Sequence, residues 1–282
     1  MTYSIVARDP ETGELGVAVQ TRSFAVGAAV PWAKAGVGAV ATQSFTERSY
    51  GPLGLELLRA GRAPEDALAG LVTADPQENV RQVGIVDATG RGAAHTGELC
   101  IKEAGHLVHE NFTVQANMMS SAEVWPAMAS AYGAASGSLP QRLLGALDAG
   151  EAAGGDFRGR QTAAMLVVEG KPSGRPWADR VIDVRVDDHA DPLTELRRLV
   201  TLAESYRRLN RLSGQVSTEE LSFARAAGVA EDHLAWSVVT AAWRAGDLDL
   251  ARRRLDAMVS REPRWEHAWD VLRSVPPPVS DD

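Results

Sequence analysis

Residues 2–44, TYSIVARDPETGELGVAVQTRSFAVGAAVPWAKAGVGAVATQS, constrain the fold more than any other stretch. Two runs of β-branched and alternating residues, 3–8 and 15–22, flank Asp9-Pro10-Glu11-Thr12-Gly13. That spacer holds the residue types that set turn dihedrals, so the pattern predicts a hairpin. A third apolar run, 37–42, follows the break at Pro31-Trp32. Thr2 stands directly behind Met1, and a small second residue is expected to permit removal of the initiator. The chain would then begin with a threonine carrying an α-amine and a β-hydroxyl at the end of a sheet. A hydroxyl is a weak nucleophile unless a base takes its proton, and an α-amine of pKa about 7.7–8.0 is such a base near neutral pH.

Composition narrows the classes. The formal charge of −8 argues against a sequence-independent nucleic-acid binder. A single cysteine, Cys100, allows neither an intramolecular disulfide nor a thiolate metal cluster. Apolar runs fall short of the ~20 residues that span a bilayer, so no membrane association is expected. With no charged-then-apolar leader in view, the cytoplasm is the expected compartment.

Further along, helical spacing predicts helices over 50–60 and 64–74, with Gly61 and Pro64 as punctuation. Strands are predicted at 80–87, 92–95, 107–109 and 113–117, then helices at 122–135 and 139–150. A polar glycine-rich loop, Gly154-Gly155-Asp156-Phe157-Arg158-Gly159-Arg160, precedes strands at 161–168 and 180–186. Hairpin-linked strands grouped apart from helix pairs predict an α+β fold of two mostly antiparallel sheets covered by two helix layers.

From Asp191 the chain turns helical. Helices are predicted at 192–210, 218–227, 232–245, 248–261 and 264–275, and a disordered tail at 276–282. The domain reading is 1–192, a helical region 193–275, and the tail. Leu234, Trp236, Ala241, Gly246-Asp247, Ala251, Leu255 and Pro263 resemble one tetratricopeptide-like helix pair. A plain helical appendage packed by Trp236, Trp243 and Trp269 is the competing reading.

Residues 2 to about 192 resemble the family of domain of unknown function 1028. The pieces are TYSIVARDPETGELGVAV, FAVGAAVPWAKAGVGAVATQ, SYGPLGLELL, AAHTG, NMM, GGDFRGRQTAA and VIDVRVDDHADPLTELRRL, in that order. That family looks like the N-terminal-nucleophile hydrolases, which implies a four-layer αββα sandwich and amide-bond hydrolysis by the first residue of the mature chain, here Thr2. In proteasome-like relatives a lysine spaced like Lys34 lowers the nucleophile's proton affinity, so the resemblance adds Lys34 to the catalytic candidates. A solvated surface lysine in a turn is the plainer reading of Pro31-Trp32-Ala33-Lys34.

The remaining candidates come from position. Asn117, at a strand end, is the first candidate for the oxyanion donor, against a turn-forming role. Gln43 and Ser44, with Thr42, end the third strand and are expected to line the same pocket, though a buried and satisfied Gln43 fits equally. Asp156, Arg158 and Arg160 suit a substrate carboxylate, or else pair with one another to shape the loop. Asp187, Asp188 and His189 fit a metal less well than a helix start at Asp191-Pro192, so no metal and no cofactor is expected. His95 has no visible acid–base partner. The expected function is an N-terminal-threonine amidohydrolase acting on a small, carboxylated amide or acylated amine. The alternative is a non-catalytic scaffold whose C-terminal helices bind a partner protein. Flat sandwich faces also suit a homo-oligomer.

Overall fold

The computed structural model describes residues 2–275. The expected hairpin forms: β1 (Thr2–Arg8) and β2 (Leu15–Thr21) pair antiparallel from Thr2↔Thr21 to Arg8↔Leu15. The Asp9 carboxylate accepts from the N–H groups of Glu11 and Thr12, and Gly13 takes φ +76° to close the turn. Pro31-Trp32-Ala33-Lys34 corrects an expectation. It is no turn but an edge strand, β3 (Pro31–Lys34), paired with β4 (Gly38–Ser44). Proline is tolerated at the first residue of an edge strand, where no ladder donor is needed.

Helices α1 (Tyr50–Arg59) and α2 (Pro64–Ala74) follow, then β5 (Arg81–Asp87), β6 (Gly92–Thr96), β7 (Gly105–His109) and β8 (Phe112–Asn117). Next come α3 (Val124–Ala134), α4 (Leu139–Ala152), β9 (Thr162–Val168), β10 (Arg180–Val186) and α5 (Pro192–Arg211). The strands form two antiparallel sheets, ordered β10-β9-β2-β1-β8-β7 and β3-β4-β5-β6.

Four layers result. Helices α3 and α4 pack on the larger sheet, α1 and α2 on the smaller, and the sheets face each other through β1, β4, β5 and β8. Two-fold alternation along each strand serves both faces. Val6, Val17 and Val19 meet Ala39, Ala41 and Val86 between the sheets. Val40, Val83 and Ile85 turn the other way, against Leu55, Leu58, Leu68 and Leu71 of the helices. Strands buried on both faces read as continuous apolar runs. Polar residues inside such a run are therefore conspicuous, and they cluster at one end of the intersheet space.

The chain divides into two compact units between Val200 and Thr201. In the second, α6 (Thr218–Ala226), α7 (Glu231–Arg244), α8 (Leu248–Val259) and α9 (Ala268–Ser274) follow α5. Val239, Ala242, Leu255, Met258 and Leu272 form its main core, edged by Trp236, Trp243 and Trp269. The Trp236 and Trp265 rings stack with centroids 5.5 Å apart. The stretch predicted as one helix from Arg264 is instead a 3-10 turn, Pro263–Trp265, followed by α9. The expected disordered tail, 276–282, lies outside the described residues. No helix among the described residues is long and apolar enough to cross a membrane.

Candidate active site

Thr2 is the first residue of β1, a central strand, and both neighbours in its sheet end beside it. Its Cα partners are Thr21 on β2 and Asn117 on β8. Thr2 is buried, and its hydroxyl lies 3.3 Å from the Thr21 hydroxyl. Its carbonyl accepts from Gln43 Nε2 at 3.1 Å, across from the facing sheet, and more weakly from Asn117 Nδ2 at 3.4 Å.

These contacts belong to a polar network between the sheets, buried from Thr2 to Gln82 and half-exposed where it ends at Thr96 and His106. Gln43 Nε2 also donates to Gln82 Oε1 at 2.7 Å, and Gln43 Oε1 accepts the Ser4 hydroxyl at 2.7 Å. Asn117 Nδ2 donates to Gln82 Oε1 at 2.8 Å. Gln115 donates to the Ser4 hydroxyl at 2.6 Å. Gln82 Nε2 reaches the Ala116 carbonyl at 2.8 Å and the Thr96 hydroxyl at 2.9 Å. Thr96 in turn lies 2.8 Å from His106 Nδ1. Buried amides are costly unless bonded, and here each finds partners. Gly84 makes the room: a Cβ there would stand 2.1 Å from Gln115 Oε1. Burial holds the His106 imidazole below its ordinary pKa, with a smaller contribution from nearby His95.

The glycine-rich loop closes this end. The Asp156 carboxylate is buried and accepts from the Arg22 N–H at 3.2 Å, one residue past Thr21. The same carboxylate pairs with the Arg158 guanidinium at 2.8 Å. The loop is also joined to the residues after Asn117: Phe157 N–H donates to the Met118 carbonyl, and Ser120 N–H to the Gly155 carbonyl. The loop thus clasps the ends of both strands that flank Thr2.

Three non-glycine residues at this end adopt left-handed backbone: Ala25 (φ +55°), Ser44 (φ +73°) and Met118 (φ +57°). Such conformations persist where the surroundings fix them, and they gather at functional sites.

The structure brings Thr2, Gln43, Ser44, Asn117, Asp156 and Arg158 to one end of the sandwich. Gln43 is the satisfied buried amide that formed one of its two readings, bonded to protein on both sides. Asn117 directs its amide at Thr2 and Gln82. Arg158 takes the loop-shaping role, in its pair with Asp156.

Two candidates lie elsewhere. Lys34 pairs with Gly38, at the end of β4 remote from Gln43. There it forms an exposed ion pair with Glu56 at 3.2 Å. An edge strand running away from the site carries it outward. Arg160 lies 3.4 Å from Asp191 and 3.7 Å from Glu151, whose other oxygen accepts the Tyr3 hydroxyl. Tyr3 alternates with Thr2, so Arg160 stands behind the sheet, on its helix-covered face. Asp191 lies at the start of α5 and accepts the Thr194 hydroxyl.

Sequence reasoning missed Ser4, Gln82, Gln115 and Thr21. The available signal was polar residues at every second position: Thr2 and Ser4, then Thr113, Gln115 and Asn117, each within an apolar strand.

Residues 2–196 match a family of unknown function (DUF1028). No curated protein matches the chain. Among solved structures, the crystal structure of a Silicibacter pomeroyi protein of the same family aligns with a TM-score of 0.65 at 31% identity, covering 79% of this chain and 90% of that one.

Proposed function

Because the chain belongs to the DUF1028 family, whose name assigns no reaction, we propose its function from its own residues: an N-terminal-threonine hydrolase of the N-terminal-nucleophile type, cleaving a small amide or acylated amine. One observation carries the reading. Thr2 is pinned at a sheet end by two flanking strands and by Gln43 across the sheets, and strained backbone surrounds it. Positioning of that kind is what a nucleophile needs and what a plain strand terminus does not.

In this scheme removal of Met1 frees the Thr2 amine. That amine takes the proton of the Thr2 hydroxyl as its oxygen attacks the substrate carbonyl carbon. The C–N bond then breaks, the proton passes to the departing amine, and an acyl ester remains on Thr2. Water attacks the ester, returns the proton to the oxygen of Thr2 and releases the acid. Gln43, Asn117 and Gln82 act as positioning residues, holding the Thr2 backbone. Asp156 and Arg158 fix the glycine-rich loop against the strand ends that flank Thr2.

The test uses protein made without an N-terminal tag. Intact mass is expected to show loss of Met1, and Thr2→Ala is expected to abolish amide hydrolysis found in a screen of small amides and N-acyl amino acids. Retained Met1, or hydrolysis surviving Thr2→Ala, overturns the reading.

A second reading keeps the sandwich as a scaffold and assigns partner binding to the helical unit, through a tetratricopeptide-like pair, α7 and α8, joined at Gly246-Asp247. Exposed Phe223, Leu248 and Val271 on that unit favour it. It predicts partner capture that persists unchanged in Thr2→Ala.

A further inference from the structure

Five large apolar side chains stand exposed on the loops around Thr2: Phe24 (70%), Phe45 (57%), Leu99 (61%), Ile101 (44%) and Phe157 (54%). Single exposed hydrophobics are ordinary, but a connected set marks a binding surface. Backbone bonds and one side-chain bond connect the loops that carry these. Phe45 and Leu99 donate their N–H groups to the carbonyls of Val80 and Asn79, which adjoin in the chain. Ile101 accepts the Met118 N–H, and Phe157 donates to the Met118 carbonyl. Next to Phe157, Asp156 accepts the N–H of Arg22, two residues before Phe24. The result is an arc of bonded loops, carrying these five side chains, around the ends of the strands that hold Thr2.

The three strained residues hold this arc. Ala25 follows Phe24, Ser44 precedes Phe45, and Met118 is bonded to both Ile101 and Phe157. Left-handed alanine, serine and methionine are unfavourable unless something else fixes them, and all three sit where an apolar side chain is turned out to solvent.

Beside the arc, at a place lined by none of its five apolar side chains, the surface is concave. Glu98, Cys100 and Lys102, which alternate with Leu99 and Ile101, line a cleft of about 580 Å³ together with Thr96 and His106. Thr96 is the far end of the network that begins at the Thr2 carbonyl. A cleft of this size suits a small molecule.

We propose that this arc is the recognition rim of the site and that the scissile amide carries a bulky apolar acyl group. The inference rests on the hydrolase reading above and adds the substrate class: medium-chain or arylacetyl amides in preference to acetyl or formyl ones. Full burial of one methylene is worth about fourfold in affinity, and a rim that stays partly open realises less. About tenfold tighter binding is expected for a hexanoyl than for an acetyl amide.

The experiment separates the two ideas by measuring binding without turnover. Untagged Thr2→Ala protein is titrated with acetyl-, butyryl-, hexanoyl- and phenylacetyl-glycine amides by calorimetry. Expected is affinity rising with acyl size, flattened in Phe45→Ala and Phe157→Ala backgrounds whose unfolding midpoints match the parent. Equal affinity for all four amides, or a rise that both substitutions leave intact, overturns the rim proposal while leaving the nucleophile untouched. Size-dependent binding with no Thr2-dependent hydrolysis supports the rim and removes the hydrolase reading. A concentration-dependent dimer that dissociates in Phe24→Ala and Phe45→Ala would show the arc covered by a second copy, and this too overturns the proposal.

Discussion

The side-chain amide of Gln43, on β4, donates to the main-chain carbonyl of Thr2, on β1, and so joins the two sheets at 3.1 Å. The same amide holds Gln82, and its oxygen holds Ser4. Gln43→Leu would keep the side-chain volume, take one bond from each of these groups and leave the Ser4 hydroxyl without its acceptor. Each buried group left unmade costs about 1–3 kcal/mol. The expected loss is about 2–4 kcal/mol, seen as a lower midpoint in urea with an unchanged slope. A loss under about 1 kcal/mol would mean that water replaces the amide in the network.

Thr2 should behave in the opposite way. Its hydroxyl has one hydrogen-bond contact, to Thr21, and its backbone carries the rest of its bonding. Thr2→Ala is expected to cost only about 1 kcal/mol of stability while removing hydrolysis altogether. Thr2→Ser restores the hydroxyl and should restore activity. A large fall in thermal midpoint for Thr2→Ala would assign the hydroxyl a structural role.

Buried Arg81 and half-buried Asp75 form an ion pair at 2.8 Å, and the Tyr50 hydroxyl donates to the same carboxylate. The Arg81 guanidinium holds the Asp75 carboxyl below its usual range. Because the folded value is depressed, the pair's stabilisation is fully present above the unfolded pKa of about 3.9 and is lost as pH falls through the folded value. Asp75→Ala leaves the buried Arg81 without this partner, at an expected cost of about 3–5 kcal/mol at neutral pH. The variant's acid unfolding should be correspondingly less steep below pH about 4.

Most of the fold was legible because local rules and packing agree. Pro64 opening α2 and the Asp9–Gly13 turn sit where propensity alone puts them. Trp32 and Lys34 were misread because a proline beside a tryptophan looks like a break, whereas an edge strand tolerates both. The site was legible only in part. Thr2 and Asn117 are visible as strand ends, but that they are neighbours follows from β8 pairing with β1 across more than a hundred residues. Gln82 is invisible for a related reason: its partners come from β4, β6 and β8, and no local pattern reports intersheet contact.

Lys34 carries a prediction because its spacing from Thr2 suggested chemistry and its position denies it. The exposed pair with Glu56 is screened by solvent and contributes little to stability. Lys34→Ala should leave both stability and any Thr2-dependent hydrolysis within twofold of the parent. A hundredfold loss of hydrolysis would require Lys34 to approach Thr2 from the opposite end of the smaller sheet.

His106 gives the sandwich a pH dependence of opposite origin to that of Asp75. Its imidazole is partly enclosed at the cleft, and Nδ1 meets the Thr96 hydroxyl at 2.8 Å. Burial lowers its pKa below the ordinary value of about 6.5, so the unfolded chain takes the proton first as pH falls. The unfolded state then binds more protons than the folded one, and stability rises with pH through this window. Expected is a gain in unfolding free energy between pH 5 and 7.5 that is reduced in His106→Gln, which keeps a polar group opposite Thr96 but cannot titrate. Because Thr96 also accepts from Gln82, charging His106 should disturb the network that reaches Thr2. An identical pH–stability curve for His106→Gln and the parent would show that the ring titrates alike in the folded and unfolded states, and the link from cleft to network would then carry no energetic coupling.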